Sequence, residues 1–209
     1  MNLKCWFKSL ISIILLKIYF PNVVFRIINK PEEIEKMYNL IWQVYGIEKK
    51  YIDPNLFSPQ ILKDEYDENA IKIGAFNGNN LLGTLRIILP SHRGFYVEKD
   101  FNVNLSEFSS REIAELSRLV VLKKYRNELI SFGLLKKALE ISKRKKIKYW
   151  IVVVSEKLKN YFSKSFGVKF YPLKISELTE EQIKIRKKMS NYYKVCNPLP
   201  YLVSLEEIY

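Results

Sequence analysis

Two opposite charges lie inside an apolar run at residues 111–121, REIAELSRLVV. A carboxylate such as that of Glu115 can take a proton from a reacting group, and a guanidinium such as that of Arg118 can bind a carboxylate through forked hydrogen bonds. Because side chains alternate along a strand, a spacing of three puts the two charges on opposite faces. The same spacing makes them neighbours on a helix, which Ser109 and Glu112 would open with a capping box. Periodicity alone therefore favours a helix here.

Other catalytic arrangements find little support in the sequence. His92 is the only histidine and lies in a Gly/Ser loop, so a Ser-His-Asp or Cys-His site is not credible. Cys5 and Cys196 are too few and too far apart for a disulfide framework or a zinc site, and no P-loop or metal motif occurs. We therefore expect no metal and a reducing, cytoplasmic setting.

The composition is that of a folded, basic protein. Its 209 residues suffice for one large domain or for a domain with an appendage, and 48% hydrophobic and 14% aromatic residues argue against disorder. The net charge of +13 favours acidic partners: nucleic acid, an anionic membrane surface or an acidic protein. The alternative is an AT-rich genome that places lysine at exposed positions.

Residues 1–22 form a predicted appendage to a domain over residues 23–209. The stretch WFKSLISIILLKIYF (6–20) is too short to span a bilayer and no cleavage site follows it. One side of the predicted helix is apolar, so it either lies in a membrane interface or packs on its own domain.

Outside residues 111–121, the sequence predicts both strands and helices. Strands are predicted at 23–28, 71–76, 81–89, 149–154, around 168–173 and at 201–205, and helices from Pro31, over 128–146, over 155–166 and from Thr179 to about Tyr193. Segments 46–68 and 91–110 look irregular. This order predicts an α/β protein with a mixed sheet and helices on its faces.

Five short stretches occur in an order that resembles a known family: DEYD (64–67), GTLR (83–86), ELSRLVV (115–121), KKYRN (123–127) and NPLPYLVSL (197–205). Together they are similar to the acyl-homoserine-lactone synthase-like branch of the Gcn5-related N-acyltransferase superfamily, and within it to the long-chain N-acyl amino acid synthases. The resemblance extends over residues 23–205. It implies that superfamily's fold, in which the central strand carries a bulge.

A bulge would reverse the helix interpretation of residues 111–121. The extra residue shifts the alternation, which brings Glu115 and Arg118 onto one face and leaves a backbone NH near Val120 unpaired. The resemblance then implies acyl transfer to an amine, with Glu115 taking the amine proton, directly or through water, and Val120 donating to the oxyanion.

Through the resemblance, four charged residues, Arg118 among them, are expected to bind substrate. Arg86 and Arg118 either bind the carboxylate of the acceptor or hold the carboxylates of Asp64 and Asp67 in place. The alternative is a purely structural ion-pair network at a sheet edge. Taken alone, the stretch DEYDEN is typical of a solvated acidic turn.

The stretch after KKYRN indicates the acyl donor. Relatives that use acyl-CoA have a Gly-rich turn there, whereas RNELISFGLL contains only Gly133 and is a poor cradle for a pyrophosphate. This favours the acyl-phosphopantetheine of acyl carrier protein, with no bound cofactor. A basic group offers either a docking surface for that acidic protein or a solvated helix end: Lys136, Lys137, Lys143, Arg144, Lys145 and Lys146.

The expected function is therefore transfer of a long-chain fatty acyl group from acyl carrier protein to the amine of an amino acid. An acyl-homoserine-lactone synthase that uses S-adenosylmethionine is the alternative enzyme. That branch usually has an arginine shortly before Val-Tyr or Val-Phe, whereas residues 41–45 here are IWQVY. The segment 174–199 is also long, so the amino acid acceptor is preferred. A non-enzymatic binder of anionic lipid or nucleic acid is the alternative of another class, although no nucleic-acid recognition motif occurs.

Overall fold

The computed structural model describes residues 3–53, 55, 61–126 and 128–208, without the side chains of residues 3–10 and 128. Pro54 and Pro59 of the predicted loop over 46–68, Asn127 of KKYRN and the side chain of Cys5 lie outside this description.

The described residues form both helices and strands. The helices are α1 (Leu3–Tyr19), α2 (Pro31–Trp42), α3 (Tyr96–Asp100), α4 (Glu128–Arg144), α5 (Glu156–Phe166), α6 (Glu180–Lys188) and α7 (Ser190–Cys196). The strands are β1 (Val23–Ile27), β2 (Ala70–Asn77), β3 (Asn80–Ile88), β4 (Ile113–Val121), β5 (Tyr149–Val154), β6 (Tyr171–Pro172) and β7 (Leu199–Ser204). The predicted mixed α/β class is confirmed.

All seven of these strands form one sheet in the order β1-β2-β3-β4-β5-β7-β6. Neighbouring strands are antiparallel except β4 and β5, which are parallel and are joined through α4. The hairpin between β2 and β3 turns at Gly78, whose φ of 56° is a left-handed conformation that glycine adopts without strain.

Helices cover both faces of the sheet. On one face, Leu134 and Ala138 of α4 pack with side chains of β2, β3 and β4. On the other face, α2 and α3 pack through residues such as Ile41 and Phe101. A Cβ atom at Gly133 of α4 would lie 2.2 Å from the ring of Phe25, so this glycine lets the helix approach β1 closely.

Strand β4 carries the bulge implied by the family resemblance. Thr84 of β3 pairs with Val120, and Arg86 pairs with Ser117. One residue therefore lies between these two pairs on β3, and two residues lie between them on β4. Arg118 takes up the irregularity with a φ of 53°, which is unusual for a residue other than glycine. The helix favoured by periodicity is wrong, because pairing with β3 and β5 decides the conformation of this stretch.

Strands β4 and β5 separate beyond the bulge. Their parallel pairing runs only from Ile113 with Tyr149 to Leu116 with Val152, although both strands continue further. This separation opens the middle of the sheet beside α4.

Three local predictions need correction. The segment 91–110 contains the short helix α3, the strand around 168–173 is reduced to Tyr171–Pro172, and the helix from Thr179 is divided in two. The division occurs at Met189, whose φ of −117° and ψ of 35° are not helical. The predicted capping bond between Thr179 and Gln182 is present.

Helix α1 packs against α4 and α5. It nevertheless leaves an apolar stripe exposed, since Ile11, Ile14 and Ile18 are 50%, 50% and 63% exposed. Among the described residues, no helix has the length and apolar character needed to cross a membrane.

Candidate active site

A cavity of about 980 Å³ lies where β4 and β5 separate. Its polar end is lined by the charged and hydroxyl-bearing residues Asp64, Arg86, Tyr96, Asp100, Glu115 and Arg118. Its apolar end is lined by side chains of α4 and α5, namely Phe132, Leu135, Leu139, Leu158, Phe162 and Phe166. Because side chains from both faces of the sheet line this cavity, it connects the α3 face with the α4 face.

Two aspartates and two arginines form one network at the polar end. Arg86 donates from Nη1 to Asp64 Oδ1 at 2.7 Å and to Asp67 Oδ1 at 2.9 Å. Arg118 donates from Nη2 to Asp64 Oδ2 at 2.7 Å and from Nη1 to the carbonyl of Leu62. Arg86 also donates from Nε to Ser117 Oγ at 2.9 Å.

The turn containing the aspartates explains why they are in place. The Asp64 side chain accepts from the amide of Tyr66 at 3.0 Å, and the Asp67 side chain accepts from the amide of Asp64 at 3.1 Å. These reciprocal bonds fix both carboxylates at one short turn, Glu65–Asn69, whose capping residue is Asp64. Asp67 is 3% exposed, so the solvated acidic turn that DEYDEN suggested in isolation is wrong for this residue.

Charge pairing stabilises the ionised forms of the network. Burial disfavours the charge of Asp67, but Arg118 and Arg86 outweigh it and hold its pKa below the usual value. Burial likewise acts against the charge of Arg86, and the two aspartates outweigh it and raise its pKa. The contacts are those of arginines holding aspartates; binding of an acceptor carboxylate by these arginines stays a prediction.

Glu115 lies in the same cavity but outside this network of contacts. It is 2% exposed, and its Oε2 accepts a hydrogen bond from the amide of Val97 in α3 at 3.0 Å. Burial raises the pKa of Glu115 to about 8, although the Val97 amide and the charge of Arg86 act in the opposite direction. A carboxyl group that titrates near neutral pH can accept a proton during a reaction.

Sequence reasoning missed Asp100, a second buried carboxylate in the cavity. It is 5% exposed, and its Oδ2 accepts a hydrogen bond from the hydroxyl of Tyr193 in α7. Burial raises its pKa to about 6, whereas the bond from Tyr193 and the charge of Arg186 lower it. No local pattern could have found it, because charged residues are rarely buried and α3 itself was predicted to be irregular.

Val120 faces the cavity beside the bulge, and the cross-strand register pairs it with Thr84. Arg118 and Leu119 are the β4 residues that the register skips. The role of the Val120 amide as an oxyanion donor stays a prediction.

The predicted docking residues are spread along α4 and the turn after it. Lys136 lines the cavity and is exposed, whereas Lys137 pairs with Glu140 at 2.9 Å. The exposed run Lys143–Lys146 lies at the C-terminal end of α4 and just after it, and begins about 10 Å from Lys136 along the axis. Other exposed cations at the cavity are Lys49, Lys63, Arg126 and Lys188.

No group of three or more histidine, cysteine, aspartate or glutamate side chains within the described ranges is arranged to hold a metal ion.

Comparisons with known proteins identify a family and related folds. Residues 36–172 match the family model described as N-acyl amino acid synthase FeeM. FeeM from uncultured soil microbes has a TM-score of 0.62 and 19% identity, over 89% of this chain and 92% of that one. BjaI, a CoA-dependent acyl-homoserine lactone synthase solved with SAM and isopentyl-CoA, has a TM-score of 0.66 and 18% identity, over 88% and 83%.

The acyl-homoserine lactone synthase LasI has a TM-score of 0.64 and 13% identity, over 88% of this chain and 90% of that one. These structures share the fold of the present chain. No curated protein sequence matches the chain.

Proposed function

The chain belongs to the family of the N-acyl amino acid synthase FeeM and is an acyltransferase, and we propose that it transfers a long-chain fatty acyl group from acyl carrier protein to the amine of an amino acid. The observation that carries this proposal is the position of Glu115, a buried carboxylate at the polar end of a cavity whose other end is apolar. A proton acceptor and an acyl-binding surface therefore share one cavity.

The reaction replaces a thioester with an amide. The amine nitrogen attacks the thioester carbonyl, a C–N bond forms, and the C–S bond breaks to release the phosphopantetheine thiol. Glu115 accepts the proton that the amine loses, directly or through water, and this proton passes to the thiolate as it leaves, which regenerates the carboxylate. The amide of Val120 is the proposed donor to the oxyanion.

The two ends of the cavity divide the substrates between them. The acyl chain packs against Leu135, Leu139 and Phe162 at the apolar end, where burial of each CH₂ contributes about 0.8 kcal/mol. The acceptor occupies the polar end, where Asp64, Asp67, Arg86 and Arg118 shape the site. The thioester carbonyl then lies between the ends, beside the bulge.

The proposed donor carries no nucleotide. Gly133, the single glycine of the segment that binds pyrophosphate in CoA-dependent relatives, lies against Phe25 in this chain. Packing on β1 accounts for this glycine without a phosphate ligand. BjaI has a similar fold and is CoA-dependent, so acyl-CoA is the alternative donor to test against acyl carrier protein.

Exposed cations at the cavity, with Lys136 as the member on α4, form the proposed docking surface for the acidic carrier protein. Lys136→Glu is expected to raise KM for acyl carrier protein at least about 10-fold at low salt. Lys145→Glu, directly after the C-terminus of α4, is the matched control. A larger effect of Lys145→Glu would place the docking surface on the run Lys143–Lys146 instead.

Helix α1 is proposed to bring the enzyme to an anionic membrane surface through its exposed apolar stripe, Ile11, Ile14 and Ile18. Sedimentation with vesicles containing one-third phosphatidylglycerol tests this. Ile14→Glu should reduce the bound fraction, while Ile183→Glu, at an exposed isoleucine of α6, should leave it unchanged.

The reaction is tested with purified enzyme, palmitoyl-acyl carrier protein and each of the twenty amino acids. Release of free thiol together with the mass of an N-palmitoyl amino acid would support the proposal and identify the acceptor. The same assay with palmitoyl-CoA instead of palmitoyl-acyl carrier protein shows which of the two donors the enzyme uses.

S-adenosylmethionine as acceptor is the second candidate, favoured by the fold similarity to BjaI and LasI. Thiol release only with S-adenosylmethionine would replace the amino acid proposal. The family match sets aside the non-enzymatic alternative.

A further inference from the structure

One carboxylate oxygen at the polar end of the cavity has no partner. Asp100 Oδ1 is buried and accepts no hydrogen bond of normal geometry from the described residues, whereas Oδ2 of the same side chain accepts one from Tyr193. The hydroxyl of Tyr96 is the other polar group near this carboxylate, and its interaction lowers the pKa of Asp100. A buried polar atom without a partner is destabilising, and more so when it is charged. The fold therefore retains an unfavourable group at a position that lines the cavity.

The neighbouring cation does not compensate this oxygen. Arg186 stacks over the rings of Phe101 and Tyr193, at 4.2 Å and 4.5 Å from their centroids. Its charge lowers the pKa of Asp100, but within the described ranges no ion pair joins the two side chains. Lys99, the other cation whose charge lowers the pKa of Asp100, is paired with Glu65.

The unpartnered oxygen lies close to the proposed proton acceptor. Glu115 accepts the amide of Val97, and Asp100 follows Val97 by three residues, or one turn of α3. Both carboxylates line the same cavity, and the charge of Asp100 raises the pKa of Glu115. Two carboxylates so placed suit a ligand that is a hydrogen-bond donor with positive charge, such as an amine.

We propose that Asp100 is an acceptor-binding residue, which holds the acceptor amine through a hydrogen bond to Oδ1 while Glu115 takes the amine proton. This inference rests on the proposed function, and it adds the group that recognises the acceptor. Tyr193 holds Oδ2, so it is a positioning residue that orients Oδ1 toward the amine.

The test uses Asp100→Asn in the full-length protein, with Asp53→Asn as the matched control, because Asp53 is exposed and does not line the cavity. Michaelis constants are measured for the best amino acid acceptor and for palmitoyl-acyl carrier protein. We expect KM for the acceptor to rise about 10-fold or more, as for loss of a hydrogen bond to a charged group. KM for the donor should stay within about 2-fold.

Binding without turnover provides an independent measurement. Thermal shifts with the twenty amino acids select the tightest ligand, and calorimetry then compares that amino acid with its analogue lacking the amino group. Asp100→Asn should weaken the amino acid about 10-fold and leave the analogue unchanged. Equal weakening of both ligands, or unchanged binding of both, would show a merely structural role and overturn the inference.

The two proposals fail in different ways. If the wild-type protein binds an amino acid but releases no thiol, the acyl-transfer proposal is wrong and calorimetry still decides the role of Asp100. If no amino acid binds to the wild-type protein, the inference about Asp100 is wrong. Because Oδ1 is unpartnered, Asp100→Asn should not lower Tm, so a misfolded variant is recognised by a fall in Tm.

Discussion

Replacement of Glu115 by glutamine tests the proton acceptor directly. Glutamine keeps the size of the side chain, and its oxygen can still accept the amide of Val97, so α3 stays bound to β4. The variant loses the ability to take a proton. We expect it to fold and to be slower than the wild type by about 100-fold or more at pH 9.

The size of the effect depends on pH because burial raises the pKa of Glu115 to about 8. With this pKa, roughly a tenth of the carboxyl groups are ionised at pH 7 and roughly nine-tenths at pH 9. The ratio of wild-type to variant kcat/KM should therefore rise about 10-fold between these two values. Titration of the acceptor amine affects both proteins equally, so the ratio removes it.

The same shift predicts an effect on stability. The folded state binds the Glu115 proton more tightly than the unfolded state, whose pKa is near 4.5, so the wild type loses stability as the pH rises from about 4.5 to 8. A difference of this size corresponds to at most about 5 kcal/mol. Glutamine does not titrate, so the variant should have the higher Tm at pH 8, with the gap closing toward pH 5.

Thiol release gives the rates and calorimetric scans give Tm. The groups whose charges affect Glu115, namely Arg86, Asp100 and Asp64, are unchanged in both proteins. A ratio of rates that does not vary between pH 7 and 9 would refute the assignment of Glu115 as the titrating base. Wild-type turnover in the variant would remove Glu115 from the chemistry.

Three further predictions concern packing and charge. Asp67→Asn leaves Arg86 with one aspartate and should lower the free energy of unfolding by about 3 kcal/mol, as for a broken buried ion pair. Denaturant unfolding at pH 7 measures this free energy. An unchanged value would mean that the ion pair is not buried in solution. Gly133→Ala should lower Tm by a few degrees, since its Cβ would lie 2.2 Å from the ring of Phe25. Adding Phe25→Leu to this variant should restore part of the lost Tm. A Gly133→Ala variant as stable as the wild type would contradict the close approach of α4 to β1. Leu135→Trp fills the apolar end and should shift the preferred acyl donor to shorter chains in competition between palmitoyl- and octanoyl-carrier protein, whereas an unchanged preference would place the chain elsewhere.

Local patterns predicted most of the elements because their signals are short in range. The hairpin at Asn77–Asn80, the N-terminus of α5 at Ser155 and its end at Gly167 each follow from neighbouring residues. The order of motifs predicted the acyltransferase fold, which the family match confirms.

Other features depend on residues that are distant in the chain. Arg86 and Asp64 are 22 positions apart, and Arg118 and Asp64 are 54 apart, so only the assembled sheet brings them into contact. Periodicity favoured a helix over residues 111–121 because the spacing of Glu115 and Arg118 suits a helix. Pairing with β3 and β5 outweighs that preference, and the bulge accommodates the spacing.

The sequence alone thus determined the class of fold, the acyltransferase family and the four charges of the network, because these are recorded in local residue patterns and in motif order. Only the tertiary structure decided that β4 and β5 separate to form a cavity, that α3 packs over β4, and that Asp100 is buried with an unpartnered oxygen. Burial and pairing are properties of three-dimensional neighbours, and no local pattern of residue types contains them.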